Sequence, residues 1–167
     1  MAPEMLLVAT AMAVNVPSQR ILLVEDDQGV RESIKLLLSI DQHTVAEAAN
    51  GHEALQLFTG SRYDIVITDY LMPEMLGDEL AQCIKSIAPA QPILMVTAYA
   101  DKLLNGGKPA DALLGKPVSV DDLRRAMAST VCLDAAASNP SAGCSRSDLM
   151  NRASAITSVL DGILRQK

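Results

Sequence analysis

The stretch that decides the fold is DIVITDYLMPEMLGDEL, Asp64 to Leu80. Its first five residues, DIVIT, carry an apolar run without polar alternation, as a strand covered on both faces reads. The run is followed by a carboxylate, Asp69, and then by Met72-Pro73 and Gly77, which shape a loop. A chain that needed only a turn there has Asn, Gly or Ser to use. Helical periodicity then begins, with Leu80, Cys83, Ile84 and Ile87 on one stripe. The stretch is thus a strand, an acid at its carboxyl end, a loop and an amphipathic helix.

The same unit recurs on either side. ILLV (21–24) is a buried strand ending in Glu25, Asp26 and Asp27, and Val30, Ile34, Leu37 and Leu38 make the stripe of the helix after it. HTVAEA (43–48) alternates and reads as a strand at or near a sheet edge, and GHEALQLFTG (51–60) is a short helix bounded by glycines. PILMVT (92–97) is another buried strand, and DALLGKP (111–117) holds a short one that leads into Lys116. SVDDLRRAMAST (119–130) is a helix with Ser119 as N-cap and Asp122 in the place of the usual Glu of a capping box. Strand and helix alternate five times with short loops, which means a parallel sheet covered by helices on both faces. The architecture expected for residues 20–131 is a flavodoxin-like doubly wound five-stranded sheet, order 2-1-3-4-5, with its site at the carboxyl ends of the central strands.

Composition narrows the function. The hydrophobic fraction is 49% and the aromatic fraction 2%, so the core is aliphatic. The net charge of -6 argues against a phosphate-binding nucleic-acid surface and is compatible with a cation-binding acidic site. Cys83, Cys132 and Cys144 form no CxxC pair, and with two histidines there is no zinc-like cluster; free thiols of a cytoplasmic protein are expected. Residues 1–19 read as an N-terminal extension. Its apolar part, MLLVATAMAV (5–14), follows Glu4 rather than Lys or Arg, unlike an export signal, and is too short to cross a bilayer. Residues 132–147 are small and polar and read as a linker. Residues 148–167 read as a C-terminal amphipathic helix with Leu149, Ala153, Ile156, Leu160, Ile163 and Leu164 on its stripe.

In a doubly wound sheet the polar residues at the strand ends share one edge. Glu25, Asp26, Asp69, Thr97 and Lys116 are therefore expected to converge in one shallow cleft. Each alone has a plain structural reading, as a turn acid, a β-former or a surface lysine; four strands delivering suitable groups to one edge is the stronger signal. The group suits phosphoryl transfer to a carboxylate. Adjacent acids attract a hard divalent cation such as Mg²⁺, Asp69 is placed to act as nucleophile, and Lys116 offsets charge on phosphoryl oxygens.

ILLVEDDQGVRESI, DIVITDYLMPEMLGDEL, ILMVTAYAD and LLGKPVSVDDL resemble the CheY-like receiver domain of two-component response regulators, over about Arg20 to Thr130. The resemblance implies that Asp69 is the phosphoacceptor and that Glu25 and Asp26, with Asp69 and the backbone carbonyl of Leu71, hold Mg²⁺ (or Mn²⁺). It implies that Thr97 is the switch hydroxyl, Lys116 the phosphate-contacting lysine, and Lys116-Pro117 a cis peptide. A sensor histidine kinase is the implied partner, with a histidine phosphotransfer protein or a target protein downstream.

The chain departs from that pattern in three places. The segment from Thr97 to Lys116 is shorter than usual and holds Gly106, Gly107 and Pro109, so a short or irregular fourth helix is expected. Leu113 stands where a switch aromatic is common, with Tyr99 nearby. Leu76 stands where an Asp before Gly is common. Leu71 and Tyr99 flank the expected phosphosite and are candidates for tuning the acyl phosphate's lifetime. With only a linker and one helix after Thr130, a single-domain response regulator is expected, without DNA binding, and with dimerisation through the C-terminal helix or the helix-4/5 face as one option. The competing readings are a degenerate, phosphorylation-independent scaffold and a Mg²⁺-dependent aspartyl-phosphate phosphohydrolase. The second lacks the acid two residues past Asp69 that such an enzyme uses.

Overall fold

The structure is a computed structural model that describes residues 17–103 and 110–135. The expected N-terminal extension, apart from Pro17 to Gln19, and the expected C-terminal helix lie outside the described residues. Within them the order is β1 (Arg20–Val24), α1 (Gln28–Ile40), β2 (Thr44–Ala48), α2 (Gly51–Gly60), β3 (Ile65–Thr68), α3 (Gly77–Ile87), β4 (Ile93–Thr97), α4 (Ala100–Leu103), β5 (Ala112–Gly115) and α5 (Val120–Ala135). All strands pair in parallel in the order β2-β1-β3-β4-β5.

The unbroken apolar runs of the central strands have a direct cause. Leu22, Val24, Val66, Ile93 and Met95 face one layer, with Ala54, Leu55 and Phe58 of α2 and Leu80 and Ile84 of α3. Their neighbours Ile21, Leu23, Ile65, Ile67, Leu94 and Val96 face the other, with Ile34 and Leu38 of α1 and Leu123 and Met127 of α5. Successive side chains of a strand point to opposite faces, so a strand covered on both sides needs an apolar residue at every position. Each fully covered aliphatic side chain contributes roughly 1.5–3 kcal/mol relative to exposure. The edge strand β2 also meets both layers, Ala46 on the α2 side and Val45 on the α1 side, but it has a neighbouring strand on one side only, and only Ala48 of its five residues is fully buried.

Caps start the helices at the carboxyl edge of the sheet. The Asp27 carboxylate accepts the Val30 N–H at 2.9 Å and opens α1. Asn50 Oδ1 accepts the Glu53 N–H at 2.8 Å, and Glu53 returns a bond from the Ala49 N–H, which opens α2. Ser119 Oγ accepts the Asp122 N–H at 3.1 Å and its hydroxyl donates to the Asp122 carboxylate at 2.6 Å, so Ser119 caps α5 as expected. α3 is handled differently. Its N-cap, Leu76, has no acceptor side chain, and Asp78 Oδ1 takes the Glu79 N–H at 2.9 Å instead, while Glu79 accepts the Leu76 N–H.

Two elements bear on the lengths expected from the sequence. α4 is described over Ala100–Leu103 alone, and the rest of the segment expected to be short or irregular, residues 104–109, lies outside the described residues. α5 runs to Ala135, past Thr130 and into the stretch expected to be a linker from residue 132. Residues 131–135, VCLDA, contain no Gly or Pro to stop a helix; the first proline comes at Pro140.

Candidate functional site

The sheet ladder continues one residue past three strand ends and sets the site side by side. The Glu25 N–H donates to Ala48 O at 3.1 Å, the Asp69 N–H to Val24 O at 3.0 Å, and the Lys116 N–H to Thr97 O at 2.9 Å. Each residue that follows β1, β3 and β5 is thereby fixed by the neighbouring strand, not by a loop alone.

Of the five residues expected to converge, the three acids and Lys116 meet. Carboxylate oxygens of Glu25, Asp26 and Asp69 lie within 4.8 Å of one another. Lys116 Nζ reaches Asp69 Oδ2 at 2.8 Å and Glu25 Oε2 at 2.7 Å. Asp69 Oδ1 accepts the Tyr70 N–H at 2.6 Å. Access is graded: the Glu25 side chain is 3% exposed, Asp69 12% and Lys116 19%, whereas Asp26 is open to solvent. Glu25 is thus the covered base of the cleft, and Asp69 can be reached from outside.

Three carboxylates meet one ammonium here. Two unit charges 4.8 Å apart repel by roughly 3.5 kcal/mol at an effective dielectric of about 20. Burial pushes the Glu25 carboxyl above its ordinary range; the hydrogen bond from Lys116 opposes this, and the charges of Asp69 and Asp26 add to it. Burial alone would lower the Lys116 ammonium, but its hydrogen bonds to Asp69 and Glu25 outweigh that and hold it above its ordinary value. The all-oxygen donor set with excess negative charge fits a hard divalent cation better than a soft one.

Asp27 leaves the acidic group, because its carboxylate is committed to capping α1. Thr97 is fully buried at the end of β4, and its Oγ1 accepts the Tyr99 N–H at 3.2 Å. Leu71 and Tyr99 are 45% and 43% exposed. Leu113 is half-buried against the α2–α3 layer. The Lys116-Pro117 peptide is cis. His43 is buried with its Nδ1 accepting the Gln19 N–H at 3.1 Å, a structural role, and Cys83 is a buried thiol that burial pushes up.

Two residues of the site's surroundings act through the main chain: Gly77, expected from the sequence to shape the loop, and Arg31, which the sequence does not single out. A Cβ on Gly77 would lie 2.0 Å from the main-chain oxygen of Asp69, and the Gly77 N–H donates to Tyr70 O at 2.8 Å. Gly77 is therefore required by close approach; its φ is not positive. Arg31 Nη1 donates to the main-chain oxygen of Glu25 at 2.6 Å. Its only sequence signal is a basic residue one turn after three acids.

The family model of the response regulator receiver domain matches residues 21–128. The chain belongs to the response regulator receiver family. Response regulator MprA of Mycolicibacterium vanbaalenii is 36% identical over 107 residues, 62% of this chain and 46% of that protein, and MprA of Mycobacterium ulcerans is 36% identical over 109 residues, 64% and 47%. The chain thus spans under half the length of these curated relatives. Among solved structures, a response regulator receiver domain protein from Clostridium thermocellum superposes with a TM-score of 0.64 at 30% identity, covering 71% of this chain and 98% of that one. Response regulator TrrA from Thermotoga maritima, solved in complex with Mg²⁺ and BeF, gives a TM-score of 0.61 at 33% identity, covering 64% and 94%. As a receiver domain, the chain has the acids, lysine and threonine of its cleft at four of the five strand ends of a CheY-like fold. No helix among the described residues is long and apolar enough to cross a membrane.

Proposed function

We propose that this receiver domain accepts a phosphoryl group on Asp69 from a sensor histidine kinase and acts as a phosphorylation-controlled switch. The observation that carries the reading is Lys116 Nζ between Asp69 and Glu25, with the Asp26 carboxylate beside them. An Asp69 carboxylate oxygen attacks the phosphorus of a phosphohistidine; the P–N bond breaks, the imidazole leaves, and an acyl phosphate remains on Asp69. Glu25, Asp26, Asp69 and the backbone carbonyl of Leu71 are the groups that would hold Mg²⁺, or Mn²⁺ in its place. Bound there, the cation would offset charge on the phosphoryl oxygens. Lys116 exchanges its bond to Asp69 Oδ2 for one to a phosphoryl oxygen. Thr97 gives up its tie to the Tyr99 N–H and donates its hydroxyl to the same group. Leu71 and Tyr99 limit the approach of water and so lengthen the life of the acyl phosphate.

The added charge biases two arrangements of the Thr97 side of the sheet. The consequence is a changed protein–protein contact, or relay of the phosphoryl group to a histidine phosphotransfer protein, in the cytoplasm and without DNA binding by this segment. Self-catalysed gain and loss of phosphate is the extent of its chemistry. Residues 148–167, or the α4–β5–α5 face, are the surfaces we assign to any homodimer. A scaffold that ignores phosphate would not need the Lys116 bridge, and a phosphohydrolase would need an acid where Leu71 stands.

Titration with beryllofluoride and Mg²⁺, followed by ¹⁵N–¹H NMR, tests this. Shifts at the Thr97 and Lys116 amides that vanish in Asp69→Asn support the switch. A wild-type spectrum that does not change refutes it.

A further inference from the structure

We infer that Arg31 is a positioning residue for the divalent-cation site, fixing the main chain that carries Glu25 and Asp26; this rests on the phosphoacceptor reading above. Arg31 lies in the first turn of α1, and its guanidinium reaches back over the β1–α1 connection. Nη1 donates to Glu25 O at 2.6 Å and makes a longer contact of 3.5 Å to Asp26 O. Nε faces Glu47 of β2 at 3.6 Å. The Arg31 side chain is 15% exposed, so the fork is held in place and not waving in solvent.

The arrangement does something the sheet ladder cannot. The Glu25 N–H is fixed by Ala48 O, but the carbonyls of Glu25 and Asp26 lie beyond the last β1 pairing. A planar fork that bonds the Glu25 carbonyl on one side and is drawn to a β2 carboxylate by charge on the other fixes the peptide planes from which both acids project. Glu47 also binds Lys35 Nζ, which orients the carboxylate toward α1. Groups that orient metal ligands from behind typically matter 10–100-fold in metal affinity.

The sign of the effect separates positioning from simple charge. A cation at this site is repelled by a nearby guanidinium, so a purely electrostatic Arg31 would weaken metal binding, and its removal would tighten it. Positioning predicts the reverse. The test is Mn²⁺ binding, read from the electron paramagnetic resonance signal of free Mn²⁺, with melting temperatures measured in metal-free buffer alongside. We expect Arg31→Met to weaken Mn²⁺ binding about tenfold. Arg31→Lys, which keeps the charge but cannot bridge Glu25 O and Glu47, weakens it by a smaller factor and carries the test if the Met variant fails to fold. A folded Arg31 variant that binds Mn²⁺ as well as or better than wild type, whatever its melting temperature, overturns the inference. A wild-type chain that takes up no Mn²⁺ overturns the phosphoacceptor reading itself.

Discussion

Gly77→Ala makes the sharpest mutational test of how the site is built. Gly77 is the first residue of α3, a position where alanine is the better helix former by up to about 1 kcal/mol. Propensity alone therefore predicts a more stable protein. The geometry predicts the opposite. The added Cβ would sit 2.0 Å from Asp69 O and 3.0 Å from Asp69 C and Tyr70 Cα, all main-chain atoms, whereas ordinary contact begins near 3.4 Å. The methyl has no flexible side chain to push aside. It must move the end of β3 or the start of α3 by about 1 Å, and the Gly77 N–H bond to Tyr70 O goes with it. Overpacking of this kind costs about 1–3 kcal/mol, enough to outweigh the propensity gain. A displacement of about 1 Å at a reacting carboxylate costs on the order of 100-fold in rate. Urea unfolding gives the first quantity, and the rate of phosphoryl incorporation from acetyl phosphate gives the second. A variant as stable as wild type that is phosphorylated within twofold of its rate refutes the claim that Gly77 sets the place of Asp69.

Two further expectations follow from particular contacts. Leu71→Asn and Tyr99→Ala, each removing an exposed hydrophobic side chain from the loops after β3 and β4, should speed loss of phosphate; unchanged decay of the phosphorylated form, followed by mass spectrometry, removes both from the account. His43 is buried as a neutral acceptor, and burial lowers its pKa from 6.5, against a smaller pull from Asp41. Below pH 6.5 the unfolded chain takes up a proton that the folded one resists, so stability should fall from there until the folded imidazole also titrates. His43→Asn keeps an acceptor for the Gln19 N–H and should flatten that part of the pH–stability curve; parallel curves for the two proteins would show that His43 carries no such linkage.

The central strands were legible because a two-layered sheet leaves them no polar position, so ILLV and PILMVT could be placed without regard to pairing partners. The acids and Lys116 were legible for a related reason: strand ends in a parallel sheet share one edge, so order along the chain fixes their convergence. What sequence could not resolve is how each acid is spent. Glu25, Asp26 and Asp27 look alike as letters, but Asp27 caps α1, Glu25 is covered beneath Lys116, and Asp26 stays open. Likewise the substitute for a capping acid at Leu76 is Asp78, two residues later than the pattern leads one to look. Arg31 and Gly77 act through backbone atoms, whose positions no side-chain pattern encodes. The run past Thr130 in α5 shows the same limit, because small residues read as linker also extend a helix already packed on a core.

The most direct test of the central claim is intact mass spectrometry of the whole chain after incubation with acetyl phosphate and Mg²⁺, beside Asp69→Asn and a chelated control. The account predicts one phosphoryl adduct on the wild-type chain, lost on chelation and absent from the variant. An adduct that persists in Asp69→Asn, or a wild-type chain that stays unmodified with Mg²⁺ present, would contradict it.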